Sequence, residues 1–325
     1  NNFIHVHQLP VDSKNFFSYP LIARKINRFI KANNINIVHV RSRGPAWMIN
    51  LMTKNNLNTI ATFHNVYGGN SYLKKIYNNG LSKMDHLVAI SDYVKETIVK
   101  KYNLPANKIS VINRGIDTEY FNQTLNVSIR DNIIKTHHID TVKKIILFPA
   151  RITSWKGQLE FLDVIKKMDT QNIMVLFAGD IKNESYTNLV RDKIEQNNLE
   201  GVCKILGSVN QDEMRSLYQV ADLSVSFPLR AEGFGRTISE SLYSKTPVLA
   251  FNYGGVKNQL ANLSDMFKVK PQDYQALPAK IEKLLSLSEV QKKEAIEGVK
   301  SVIEINFSKI NMVNQYLKLY ESLRS

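Results

Sequence analysis

The sequence has 325 residues, 43% of them hydrophobic and 22% charged, with 14 Gly and 9 Pro. At about 150 residues per domain this length favours two domains, and the composition excludes a fibrous, low-complexity or mainly disordered chain. Lys and Arg outnumber Asp and Glu by 43 to 29, a net charge of +14, and by 16 to 6 within residues 1–125, which points to an anionic partner for that half: nucleic acid, an anionic lipid surface or a phosphorylated substrate.

Residues 3–8 read as a strand and lack the charged-then-apolar pattern of a signal peptide. The strand, glycine-rich turn and helix that usually open a nucleotide-type fold do not precede it, so the natural protein is expected to extend upstream of Asn1. An amphipathic helix follows, with Arg24, Arg28 and Lys31 opposite Ile22, Ile26 and Phe29. Its basic face is either a solvated outer face or a stripe that docks on an anionic membrane. Strands are expected at 35–40, 59–63 and 86–90, then at 144–148, 173–177, 223–227 and 247–251, alternating with helical segments. Largely apolar strands in that rhythm give parallel sheets covered on both faces, an α/β class. The apolar pattern breaks at 122–140, which places a domain joint there and divides the chain into 1–125 and 126–307. After Asp273 only helical patterns remain, the last at 308–323. No apolar stretch approaches the roughly 18 residues that a spanning helix needs, so a soluble or surface-attached protein is expected. The single cysteine, Cys203, excludes an internal disulfide and a cysteine-cluster metal site and fits a reducing cytoplasm.

The segment from Glu232 to Glu240 (Glu-Gly-Phe-Gly-Arg-Thr-Ile-Ser-Glu) carries the most chemistry. It follows an apolar strand and opens a helical pattern, so it lies at the carboxyl end of a strand, where open α/β sheets bind ligands. Gly233 and Gly235 remove side chains from the turn and let backbone N–H groups approach an anion at the helix N-terminus. Glu240 falls within the first helical turns, where a carboxylate can accept hydrogen bonds from two neighbouring hydroxyls such as those of a ribose, and Glu232 stays on the loop within reach of a sugar. The plainer reading is that the glutamates favour the helix N-terminus electrostatically and the glycines make a turn. A second loop, after the strand at 144–148, brings together Arg151 and Lys156, a fork and a point charge suited to a diphosphate or else a solvated pair. In the first half, His64 sits at the carboxyl end of a strand, where a lone histidine is either structural or faces a ligand. Ser91 and Arg114 follow later strand ends. Arg41 and Arg43, near Trp47, bind an acidic acceptor or belong to a solvated loop. His137-His138 lacks a metal-ligand constellation, and no nucleic-acid-reading helix or aromatic platform is visible.

Arg151 with Lys156-Gly157, Phe177-Ala178-Gly179-Asp180, Glu232-Gly233-Phe234-Gly235 with Glu240, and Tyr253-Gly254-Gly255 occur in the order and approximate spacing of the retaining glycosyltransferases of the GT-B fold, family four, group 1. The chain resembles that family over nearly its whole length. The resemblance implies two Rossmann-like domains facing a cleft, the N-terminal one lacking its first strand and glycine-rich loop, with the helix at 308–325 returning to it. It implies a UDP- or GDP-sugar donor on the second domain: Arg151 and Lys156 on the diphosphate, Glu240 on the ribose, Glu232 on the transferred sugar. Gly233, Phe234, Gly235, Arg236 and Thr237 would supply backbone contacts, and Gly179 would allow close approach of the nucleotide. His64 matches the family's histidine facing the donor sugar, and Ser91 and Arg114 match cleft positions. The implied reaction transfers a hexosyl unit to a hydroxyl with retention, by same-face attack rather than through a covalent intermediate. The Asp-x-Asp pattern associated with metal-bound sugar nucleotides is absent, so catalysis is expected to need neither metal nor cofactor. The implied acceptor is a saccharide or lipid-linked molecule in polysaccharide, lipopolysaccharide or glycolipid synthesis, handled in the cytoplasm or on the inner face of the membrane. A sugar-nucleotide epimerase and a non-catalytic nucleotide-sugar-binding protein remain as alternatives.

Overall fold

The computed structural model describes residues 15–52, 56–68, 71–124 and 126–324. The strand expected at 3–8 lies outside them. Within them run β1 (Ile37–Val40), β2 (Asn58–Phe63), β3 (His86–Ala89), β4 (Ile109–Val111), β5 (Lys144–Pro149), β6 (Ile173–Ala178), β7 (Cys203–Gly207), β8 (Leu223–Ser226), β9 (Val248–Phe251) and β10 (Lys268–Val269), separated by helices. They form two parallel sheets, one in the order β1-β2-β3-β4, the other in the order β10-β9-β8-β5-β6-β7. The seven strands expected from sequence are all present. The three added ones, β4, β7 and β10, are all at sheet edges. Edge strands are covered less completely, so their residues mix polar with apolar: Ser110 in β4 is exposed, and Lys204 in β7 is half-buried.

The chain forms two compact units, Asn1–Asn113 with Asn314–Ser325, and Arg114–Val313. It passes from the first to the second at 113–114, ahead of the polar stretch at 122–140. The helices Thr118–Phe121 and Val127–Thr136 pack within the second unit, where Phe121 and Ile133 are buried and Arg215 and Gln219 donate to the carbonyls of Tyr120 (3.1 Å) and Gln123 (2.9 Å). Gly115 lies against the backbone of Ser308, where a Cβ would not fit, and Ile116 bonds on both sides, its N–H to Phe307 O at 2.8 Å and its carbonyl to Lys309 N–H at 2.7 Å.

Helix Lys309–Ser322 carries the chain back into the first unit. Its tyrosines close a polar network on β1 and β2: His39 bonds the hydroxyls of Tyr320 and Thr62, each at 2.7 Å, and Thr62 meets the Tyr316 hydroxyl at 3.0 Å. Burial, then Arg41 and His64, lower the His39 pKa to about 4, so the ring joins this network uncharged. In the second unit the largest core feature is a cluster of phenylalanines. Phe148 of β5, Phe177 of β6, Phe227 after β8 and Phe251 of β9 lie at strand carboxyl ends, with Phe161 on the helix above, at centroid separations of 5.1 to 5.5 Å for the nearest pairs. Each such pair contributes about 0.5–1.5 kcal/mol beyond its burial. The cluster forms a rigid floor beneath the loops that carry the candidate site.

Candidate functional site

Three loops leave the carboxyl ends of β5, β8 and β9 and interlock. The β5 loop runs from Arg151 to Gly157 and is held from both sides. Ile152 N–H bonds Asp180 O at 2.9 Å, the fully buried Gln158 amide donates to Arg151 O at 2.9 Å, and Trp155 O accepts from Leu229 N–H at 2.8 Å. Gly157 starts helix Gln158–Ile165 at φ +88°, pressed against Phe227 O, so both the left-handed backbone and the space require glycine. The β8 loop carries Glu232 to Gly235 and is clasped by the β9 loop. Gly255 N–H bonds Glu232 O at 2.9 Å, and a Cβ on Gly254 would come within 2.7 Å of the same oxygen. Tyr253-Gly254-Gly255 thus sets the position of Glu232.

Lys156 and Glu232 meet in an ion pair, with side chains 16% and 11% exposed. Two cations lie over the Trp155 ring, Lys156 Nζ 4.4 Å and the Arg230 guanidinium 4.8 Å from its centroid. Arg151 is exposed on the same loop, and its charge lowers the pKa of Asp180, after the stronger effects of Ser208 and Lys182. Two cations, Lys156 and Arg230, the Glu232 carboxylate and the Trp155 indole thus cluster where these loops meet, with Arg151 on the same loop as Lys156. Gly179, at φ +153°, lies where a Cβ would strike Ala150 O and come within 2.8 Å of Arg151 N, so the β6 and β5 loops touch through their backbones.

Helix Arg236–Tyr243 begins at Gly235, φ +79°, beside Val256. The Phe234 side chain turns inward, 4% exposed, with its ring 5.7 Å from Phe307, and its carbonyl accepts from Gln259, which also accepts from Ser239 at 2.5 Å. Phe234 anchors the loop. Thr237 is half-buried in the first turn of the helix. Glu240 is only 7% exposed and both its oxygens are engaged: Oε1 pairs with the Arg236 Nε one turn earlier, and Oε2 accepts from the Tyr218 hydroxyl at 3.1 Å. Burial pushes its carboxyl pKa up, opposed by Arg236, Tyr218 and Arg114. Tyr218 is fully buried, with its pKa raised by burial and by Glu240, so it stays a donor.

The second unit thus gathers Arg151, Lys156, Gly179, Glu232 to Thr237, Glu240 and Arg114. His64 and Ser91 lie in the first unit. His64 follows β2, half-buried, and its Nε2 accepts from Arg41 Nε at 3.3 Å, which places the ring proton on Nδ1. Ser91 is 1% exposed and caps helix Asp92–Tyr102, accepting from Val94 N–H at 3.3 Å, which is the turn-forming role. Sequence reasoning missed Trp155, Arg230 and Tyr218. Trp155 adjoins Lys156, and an aromatic next to a binding-loop cation is a usable signal. The i, i+4 spacing of Arg236 and Glu240 also announced their pairing. Nothing in the sequence singles out Tyr218, which reaches Glu240 from another helix. Among the described residues no group of three His, Cys, Asp or Glu side chains is gathered as a metal-ligand set, and no helix is long and apolar enough to cross a membrane.

Two family models match the chain: glycosyl transferases group 1 over residues 129–300 and glycosyltransferase family 4 over residues 1–120. A glycosyltransferase structure from Rickettsia africae is 33% identical, with a TM-score of 0.87, covering 98% of this chain and 85% of that one. The Anabaena HepE structure in complex with UDP-glucose shares the fold at 17% identity, with a TM-score of 0.79 over 93% of this chain and 82% of that one. An uncharacterized glycosyltransferase of Methanocaldococcus jannaschii is 27% identical over 202 residues, 62% of this chain and 50% of that protein. The chain spans about half the length of the curated relatives it matches, 50% and 57% for the first two.

Proposed function

The chain belongs to glycosyltransferase family 4 and carries the GT-B fold, its second half being a group 1 glycosyl transferase domain, and we propose that it moves a sugar from a UDP- or GDP-sugar to an acceptor hydroxyl with retention of anomeric configuration. The observation that carries this reading is the Lys156–Glu232 pair beside Trp155, fixed by three loops over an aromatic floor. A diphosphate displaces Glu232 from the ammonium and gains Arg151 as well. The freed carboxylate then orients the transferred sugar. As the glycosidic bond breaks, negative charge grows on the departing diphosphate, and Lys156 and Arg151 stabilise it more strongly in the transition state than in the ground state. A diphosphate oxygen takes the acceptor proton on the face the nucleotide leaves. Cations already at the phosphate mouth fit a metal-independent reaction. Nucleoside diphosphate release from a panel of UDP- and GDP-sugars tests the reading, with the first-formed anomer of the released sugar followed by NMR. An α-linked donor should give α-sugar first; β-sugar would remove retention, and an isomerised donor would favour an epimerase.

Glu240 is assigned the nucleotide's ribose. Arg236 must yield Oε1, whereas Tyr218 keeps Oε2 aligned. Glu240→Ala should weaken free nucleotide binding about tenfold, the worth of one hydrogen bond to a charged group. Calorimetry reads this directly, and unchanged affinity for free nucleotide would take Glu240 out of the donor site.

The first unit is assigned a saccharide or lipid-linked acceptor of cell-surface glycan synthesis, met at an anionic membrane. Arg24, Arg28 and Lys31 are exposed on helix Tyr19–Ala32, while Ile22 is buried and Ile26 and Phe29 half-buried. Nearby Phe17 is 95% and Leu73 77% exposed, and an open apolar groove of about 410 Å³ runs between Phe16, Trp47 and Tyr77. Cations beside exposed apolar side chains suit a peripheral membrane contact, each cation contributing about 1 kcal/mol at an anionic surface. The triple change to Gln should reduce co-sedimentation with anionic vesicles at low salt and leave nucleotide binding intact. If the unaltered protein ignores such vesicles, the stripe is a solvated helix face.

A further inference from the structure

Cations outnumber carboxylates by 16 to 6 over residues 1–125. In the first unit, a cavity of about 650 Å³ opens between helices Tyr72–Asn78 and Asp92–Tyr102, with Lys75 on one wall and Lys101 on the other. Among the described residues its remaining polar lining is Asn78, Asn79, Asn103 and Tyr102, with no carboxylate. A third cation stands behind it: the Arg43 guanidinium lies 4.3 Å from the Tyr67 ring and 5.0 Å from the Tyr77 ring and donates to Asn78 Oδ1 at 2.6 Å.

The cavity is built rather than incidental. Asn78 is 2% exposed, and its amide also bonds Gly68 O at 3.0 Å, so it cannot turn. Lys101 donates to Tyr67 O and thereby holds its ammonium at the wall with two donors left. The Tyr102 hydroxyl is buried and has no hydrogen-bond partner among the described residues. A buried hydroxyl left so is destabilising, and a ligand oxygen reaching it would relieve that cost. The volume lies within the range of about 300–1,000 Å³ typical of small-ligand sites.

We propose that this cavity is an anion subsite for the acceptor, taking a phosphate group attached to the molecule that receives the sugar. The proposal rests on the reading that the first unit holds the acceptor. A phosphate has three oxygens to share among two ammonium groups on facing helices, an amide and a phenol. The Ile76 side chain and the Tyr102 ring supply an apolar surface for the carbon skeleton beside it. The phosphate belongs to a soluble phosphorylated saccharide or to a lipid headgroup; the chemistry read by the cavity is the same.

The test keeps the two sites apart. Inorganic phosphate and glycerol phosphate are titrated into protein saturated with nucleoside diphosphate, so that the second unit's diphosphate site is filled. Both should bind, and Lys75→Gln with Lys101→Gln should weaken them about tenfold or more while nucleoside diphosphate affinity stays unchanged. Tyr102→Phe, which keeps the ring, should weaken them by a smaller factor. Vesicles containing phosphatidylglycerol, compared with phosphatidylcholine alone, identify the source: binding lost in the double variant puts the phosphate on a lipid, whereas response to the small phosphates alone puts it on a soluble acceptor. Absence of phosphate binding by the nucleotide-saturated protein, or affinity untouched by the double change, overturns the subsite. If the protein binds no nucleotide yet binds phosphate through Lys75 and Lys101, the donor reading fails and the subsite stands.

Discussion

Glu232→Gln should leave a protein that binds nucleoside diphosphate at least as well as before and transfers sugar at about one hundredth of the rate or less. Both halves of that result follow from one contact. In the free protein Glu232 occupies the Lys156 ammonium, so an incoming diphosphate competes with a carboxylate of the protein's own. Removing the carboxylate's charge ends the competition, and free nucleotide should bind up to about fivefold more tightly, the upper worth of a partly solvated ion pair. The same change removes the group that orients the donor sugar, and a misplacement of about 1 Å at a reacting centre costs about a hundredfold. Calorimetry with free nucleotide, alongside turnover at saturating donor, separates the two effects. Wild-type turnover would remove Glu232 from the sugar, and weaker nucleotide binding would mean that the pair supports the site rather than occluding it.

Lys156→Ala and Arg151→Ala should act on the opposite side of the reaction. Their charges face a leaving group that becomes more negative as the bond breaks, so turnover should fall further than donor affinity. For Lys156 the loss in kcat should be about a hundredfold, the scale seen when one preorganised electrostatic contact is removed from a transition state. Arg151 is the more exposed of the two, and its loss should be smaller because solvent screens it. Saturating-donor kinetics give kcat and KM separately. Wild-type turnover in both variants would contradict the leaving-group role, and a rise in KM alone would make them binding residues only.

How far the sequence reveals this site depends on how local each interaction is. The loops at Lys156-Gly157, Glu232 to Gly235 and Tyr253 to Gly255 are legible because their glycines answer backbone demands written into short segments: a left-handed residue at Gly157 and Gly235, close approach at Gly254. The seven strands expected from the sequence are interior to their sheets or, like β1, apolar enough to show; β4, β7 and β10 hide because an edge needs less apolar surface. Two features are hidden for another reason. Tyr218 reaches Glu240 from a separate helix, and Glu232 closes on Lys156 across 76 residues of chain. Spacing and the family resemblance raise these residues as candidates for a ligand site, while only packing shows that in the free protein they contact each other. Ser91 illustrates the reverse case, a residue matched to a cleft position whose hydroxyl caps a helix.

The most direct test uses Trp155, whose ring stacks against Lys156 and Arg230. The chain has two tryptophans, so Trp47→Phe leaves Trp155 as the sole indole reporter. Titrating that variant with UDP- and GDP-sugars while following tryptophan fluorescence should give a saturable change with one nucleotide class, because a diphosphate draws Lys156 from Glu232 and alters what covers the ring. The change should vanish when Lys156→Ala is added. No response to either nucleotide class, with no binding detected by calorimetry, would contradict a nucleotide-sugar site on these loops.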